Sequence, residues 1–212
     1  IIERIGIKGT PLYIFSAVCN VFLKGGLSCL GFLFKRNNSL ETKEMLSIPE
    51  WVSKMVIDDE HLFKEHHNGS WFEWVLNNNF SGSKEDIQKF YAIYSKDKEV
   101  GFFLIKERAL SLPDKNISKI VIGSIIEWGV YKDSQLSEYD VYRLAIEKFS
   151  QNVSIVEFTS LNKNTVRRMK RLGFFHHGSF HIIVKSKNTE VSNLSNINDW
   201  RIRLGYADVP FY

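Results

Sequence analysis

Glu127 stands in an otherwise apolar, β-rich run, ISKIVIGSIIEWGV over residues 117–130. A carboxylate in such a place takes up a proton, lies exposed at the strand end or pairs with an arginine. Six histidines, His61, His66, His67, His176, His177 and His181, raise the question of a metal. His177 and His181 are four apart, but Gly178 and the start of a strand lie between them. That spacing does not put two rings on one helix face, so no metal is expected. Nucleophilic catalysis has no better support: there is no Gly-x-Ser-x-Gly elbow, and Cys19 and Cys29 both lie in apolar runs. The basic run Arg167-Arg-Met-Lys-Arg171 reads as a solvated helix face or as a contact for a polyanion.

These residues are carried by a series over 117–185 that reads strand, helix, strand, helix, strand. In the first strand Ile120, Ile122, Ile126, Trp128 and Val130 alternate with Val121, Ile125 and Glu127, and apolar residues on both faces indicate a buried central strand. Ser137 with Asp140 three residues on approximates a helix start. Val141, Leu144, Ala145 and Phe149 then recur at helical spacing, as a stripe that faces a sheet does. Val153 to Thr159 is β-rich, Asn162 and Asn164 can cap, and Val166, Met169 and Leu172 give a short helix ended by Gly173. A strand, crossover helix and strand in sequence favour a parallel pair.

The segment from Asn162 through Thr165 and Met169 to Gly173-Phe174 resembles the last conserved block of the GCN5-related N-acetyltransferase (GNAT) superfamily. The order of elements from about Tyr91 to Lys185 is similar too. The resemblance implies an α/β fold, a GNAT-like mixed β-sheet with helices on both faces. It implies acetyl-CoA, or another acyl-CoA, as co-substrate, no metal, and direct attack by a small-molecule or protein amine. On this reading the backbone near Trp128 and Val130 pairs with the pantetheine amides, Lys132 and Ser137 meet the pyrophosphate, and Asn162 lies near the CoA arm. On the same reading the basic run Arg167–Arg171 is a candidate contact for the CoA 3′-phosphate. Glu127 faces the gap as general base, because an ammonium must lose a proton before it can attack a thioester. Two features depart from the superfamily pattern. The loop between Val130 and Ser137 has no Gly, and Met169 stands where many members place a proton-donating Tyr, a job a thioether cannot do. Tyr139 or Tyr142 is the available substitute. The alternative reading is a degenerate module that keeps the fold without catalysis, as a binding or structural unit.

Gly6 and Gly9 precede the apolar stretch 10–34, in which Lys24-Gly25-Gly26 separates a helix-like piece from a strand-like one. Arg4 to Thr10 resembles a diverged pyrophosphate loop, with glycines allowing close backbone approach to phosphate, so Gly6 and Gly9 join the cofactor candidates. The domain reading is therefore 1–50 as the C-terminal portion of a first GNAT-like unit and 51–212 as a GNAT-like domain. Asp58-Asp59 predicts a helix running through His67, with Asn68-Gly69 ending it or turning the chain. A hairpin follows at residues 90–105, then a polar excursion from Glu107 to Asn116. Trp200 to Leu204 reads as a final edge strand. The 212 residues are 44% hydrophobic and 25% charged, the balance of an ordinary globular protein. A net charge of +4 with scattered basic residues does not by itself call for nucleic acid, and none is expected as partner. Two cysteines make no disulfide framework, and a cytoplasmic protein without membrane association is expected.

Overall fold

The computed structural model describes residues 39–61, 64, 67–77, 86–111, 119–176, 178, 196 and 199–203. The chain divides into two units, Ile1–Asn38 and Ser39–Tyr212, and the described residues all belong to the second. Gly6, Gly9, the 10–34 stretch and the strand expected at 180–185 lie outside the described residues.

Strands β1 (Leu40–Met45), β2 (Ile87–Ser95), β3 (Lys98–Ser111) and β4 (Lys119–Val130) form an antiparallel meander. Strand β5 (Ile155–Glu157) joins β4 in parallel, so the five-stranded sheet is mixed, in the order β1-β2-β3-β4-β5. Helices α1 (Glu50–Ile57) and α2 (Gly69–Asn77) precede β2; α3 (Glu138–Ile146) and α4 (Lys163–Arg171) flank β5 in sequence. Val52, Met55 and Val56 of α1 and Phe72 and Val75 of α2 are buried with Phe90, Phe102, Leu104 and Ile126 on one face of the sheet. On the other, Val141, Leu144 and Ala145 of α3 and Met169 of α4 pack with Tyr91, Ile93, Phe103, Ile105, Ile125 and Trp128. The fold is α/β with helices on both faces, as expected. Each fully buried Phe or Leu contributes about 1.5–3 kcal/mol through its removal from water.

Several local expectations change. Leu40–Met45, grouped by sequence with the N-terminal portion, pairs along its whole length with β2. Asn68-Gly69 starts a helix instead of ending one: the Asn68 side chain accepts from the Trp71 N–H at 3.0 Å, so it caps α2, and residues 59–61, 64 and 67 are not helical. The polar stretch after Glu107 stays in the sheet to Ser111, because its partners on β4 are in register and the Glu107 carboxylate accepts from the N–H and Oγ of Ser150, both at 2.7 Å. Arg201 to Arg203 has no strand partner, so the expected edge strand does not extend beyond an isolated bridge at Trp200.

One irregularity in the β3–β4 ladder sets the direction of the candidate residues. Leu104 lies opposite Glu127 but Ile105 lies opposite Ile125, so Ile126 is an extra residue, a β-bulge. Strict alternation would put Glu127 with Ile125 and set Trp128 and Val130 against them. The bulge reverses this: Glu127 turns to the α1/α2 face with Leu104, while Trp128 packs on the α3 face with Ile125. Gly129 follows because the strand passes close to its neighbours there; a Cβ on it would come within 2.6 Å of the Phe102 ring.

Candidate active site

Strand β5 pairs with β4 only at Ile122, Gly123 and Ser124, whereas β4 continues to Val130. Beyond Ser124 the β4 edge parts from β5. The Tyr131 N–H donates to Val100 O at 3.0 Å, so Tyr131 and, two residues earlier, Gly129 point their backbone groups at β3. By the same alternation Trp128 and Val130 present theirs to the opposite edge, the gap. A mixed sheet parted beside a bulged central strand, reached through an antiparallel meander and followed by helix, strand and helix, is the arrangement the Asn162–Phe174 resemblance implies. The fold is GNAT-like. No protein-family model matches the sequence, and comparison with curated proteins gives no match. Among solved structures, the chain is similar to a ribosomal-protein-alanine N-acetyltransferase from Brucella melitensis biovar Abortus 2308, at 9% identity and a TM-score of 0.46, over 69% of this chain and 99% of that one. It is also similar to a transcriptional regulator from Bacillus halodurans C-125, at 13% identity and 0.45, over 68% and 99%. A GNAT family acetyltransferase from Staphylococcus aureus matches at 14% identity and 0.42, over 69% and 99%. At such identities and scores the names of these proteins lend this chain no activity.

In the GNAT-like gap the Trp128 backbone is already engaged. Its N–H donates to Glu127 Oε1 at 2.9 Å, and its C=O accepts from Arg201 Nη2 at 3.0 Å and Arg203 Nε at 3.4 Å. The Arg203 guanidinium lies 3.7 Å from the centre of the Trp128 ring, a cation–π contact. The Trp128 indole N–H donates to the Tyr142 hydroxyl at 3.1 Å. That hydroxyl shares its single proton between Glu138 Oε1 at 2.9 Å and Thr159 O at 2.5 Å. Burial, reinforced by Glu138, pushes the Tyr142 phenol well above its ordinary pKa, so it stays protonated at neutral pH.

Glu127 is fully buried and is the hub of a charged network. Its Oε2 lies 2.8 Å from His67 Nδ1, and its Oε1 accepts from Arg201 Nη2 at 2.8 Å with Arg203 Nε at 3.5 Å. Arg201 Nε in turn lies 3.2 Å from Asp59 Oδ2, and Asp59 Oδ1 is 2.5 Å from His61 Nδ1. The His67 ring stacks on Trp71 at 3.5 Å and 3°. Burial alone would raise the Glu127 pKa, but Arg201, the His67 hydrogen bond and Arg203 outweigh it and hold the carboxyl below its ordinary range. Of the three uses open to Glu127, the structure displays the pairing with arginine.

The other candidates are not brought together with it. Lys132 pairs with Glu60 at 2.9 Å in solvent. Ser137 caps α3 in a reciprocal box: Asp140 N–H donates to its Oγ while its own N–H and Oγ donate to Asp140 Oδ2. Asn162 caps α4, its Oδ1 accepting from the N–H groups of Asn164 and Thr165 at 2.9 and 3.2 Å. Met169 is buried in the core, and Tyr139 carries the Arg168 guanidinium 3.5 Å from its ring centre. Among the described residues no three His, Cys, Asp or Glu side chains gather as metal ligands, and no helix is long and apolar enough to cross a membrane. Sequence reasoning missed His67, Asp59, Arg201 and Arg203. The signal for the last two was the i, i+2 spacing of Arg201 and Arg203, which places both on one side of an extended segment.

Proposed function

We propose that the chain is an acyl-CoA-dependent N-acyltransferase of GNAT type, transferring an acetyl group to a small-molecule or protein amine. The observation that carries this reading is the parting of β4 from β5, with the backbone groups of Trp128 and Val130 turned into the gap and Glu127 set at the bulge beside it. The acyl-CoA supplies a thioester carbonyl. The amine nitrogen bonds to the carbonyl carbon, the C–S bond breaks, and the departing thiolate takes a proton. Glu127, ionised at neutral pH, is the carboxylate that would accept the proton the ammonium gives up, and to do so it exchanges its bond to Arg201 for one to the amine. Tyr142, kept protonated beside Trp128, is the phenol in reach of this end of β4. Lys132, Ser137 and Asn162 take the phosphate and CoA-arm side.

A second reading, a GNAT-like module without catalysis, is favoured by a specific observation. The Trp128 backbone, Ser137, Asn162 and Lys132 all have partners within the protein, so a CoA ligand must displace each of them. Calorimetric titration with acetyl-CoA separates the two. The transferase reading expects binding that survives Glu127→Gln, with loss of acetyl transfer to an amine. It also expects weaker binding in the Lys132→Ala, Ser137→Ala double variant. No heat up to millimolar acetyl-CoA from the folded protein overturns it and leaves the module.

A further inference from the structure

Along helix α4 lies a groove of about 680 Å³ lined by Ser160, Leu161, Lys163, Val166, Arg167, Lys170 and Arg171. Four of its lining residues, Lys163, Arg167, Lys170 and Arg171, are cations and none is an acid. Lys163, Arg167, Lys170 and Arg171 are exposed, and none has an ion-pair partner among the described residues. Arg168, pointing the other way, is instead stacked on Tyr139.

Helix stability does not account for this stripe. Lys170 and Arg171 in the last turn suit the negative end of the helix dipole, but Lys163 is the first helical residue, where positive charge is unfavourable and no acid is present in the first turn. Lys163 with Arg167 and Arg167 with Arg171 are like charges four residues apart, an arrangement that weakens a helix. Such a stripe is stabilised by an anion lying along it. Two Arg forks suit phosphate oxygens in pairs, and Leu161 and Val166 give the groove an apolar floor. Just past the helix, four residues from Arg171, Phe175 is 82% exposed. A cationic groove followed by a bare aromatic ring matches what a single nucleic-acid strand needs, phosphates on the cations and a base stacked on the ring. We infer that the α4 groove binds single-stranded nucleic acid through its phosphate backbone. An acidic peptide would use the cations but have no need of Phe175.

The test is fluorescence anisotropy with a labelled oligothymidine of about 12 nucleotides, a length that covers one such groove. With four phosphate contacts the affinity falls about 50-fold between roughly 50 and 200 mM salt. Lys163→Gln with Arg167→Gln, both solvent-exposed and expected to leave the circular dichroism spectrum unchanged, halves the logarithmic salt dependence. Phe175→Ala weakens binding about 10-fold and leaves the salt dependence as it was. The inference is overturned by absence of binding at the lower salt, by a salt dependence indifferent to the double substitution, or by affinity for polyglutamate or anionic vesicles equal to that for the oligonucleotide. Displacement of the oligonucleotide by acetyl-CoA also overturns it, by assigning the groove to the acyl donor. None of these outcomes depends on whether the chain transfers an acyl group.

Discussion

Glu127 shows how far a single residue can be read. Its isolation among apolar neighbours marks it as special, but its direction and its partners are set elsewhere. Removing it leaves Arg201 with a buried charge and one fewer partner, so Glu127→Ala is expected to lower stability by about 3–5 kcal/mol, measured by urea unfolding at neutral pH. Glu127→Gln, which keeps the volume and one hydrogen-bonding oxygen, costs less. The pH dependence follows from the depressed carboxyl. The unfolded chain holds a proton on Glu127 at pH values where the folded chain does not, so the stability it contributes is full above the ordinary glutamate value of 4.5 and is lost as pH falls through the lower folded value. Urea midpoints measured from neutral pH downward should fall less steeply below that point in Glu127→Gln than in the parent. An identical slope in the two proteins would show that the carboxylate is not held as described. The i, i+2 spacing of Arg201 and Arg203 sets them on one side but does not give their partner: Arg201 meets Glu127 across 74 positions of chain, and pairing over that distance leaves no periodic trace.

Elements were legible where their signals are local. The Ser137–Asp140 spacing announced α3, Asn162 announced α4, and Gly173, at φ +92°, closes α4 as glycine does. Where two local signals competed, the wrong one could be chosen. Asn68 is as good a start as it is a stop, and packing of Phe72 and Val75 against the sheet decided in favour of a start. The hairpin between β2 and β3 was visible, but its turn is made by Lys96 and Asp97, both in the left-handed region at φ 49° and 63°. This is the backbone that Asn-Gly adopts most easily. Asp97→Gly is therefore expected to stabilise the protein by about 1 kcal/mol, since a non-glycine residue in that region carries a strain of roughly that size. A differential scanning calorimetry Tm raised by a few degrees supports the turn, and an unchanged or lower one argues against it.

At the scale of the molecule, the central strands and the α3/α4 layer follow from an order of elements readable from about Tyr91 onward, whereas β1 and the α1/α2 layer precede it and were not read at their observed places. The tie between the C-terminal segment and the sheet was not legible either. Arg201 and Arg203 reach back to Trp128 and Glu127, so the end of the described chain is part of the core. A chain stopped at residue 198 loses both guanidinium groups, and is expected to unfold at a markedly lower urea concentration, by an amount comparable to Glu127→Ala. The two changes combined should cost less than their sum, because they break one network.

The brevity of the β4–β5 junction has a mechanical meaning. The meander is held by ladders running most of the length of its strands, whereas among the described residues β5 joins it by three residue pairs, and the segment carrying α3 and α4 adds packing and side-chain bonds such as Glu107 to Ser150 and Trp128 to Tyr142. Loaded in tension across the sheet, the molecule has a seam, and it would tear along that seam while the antiparallel part stayed whole.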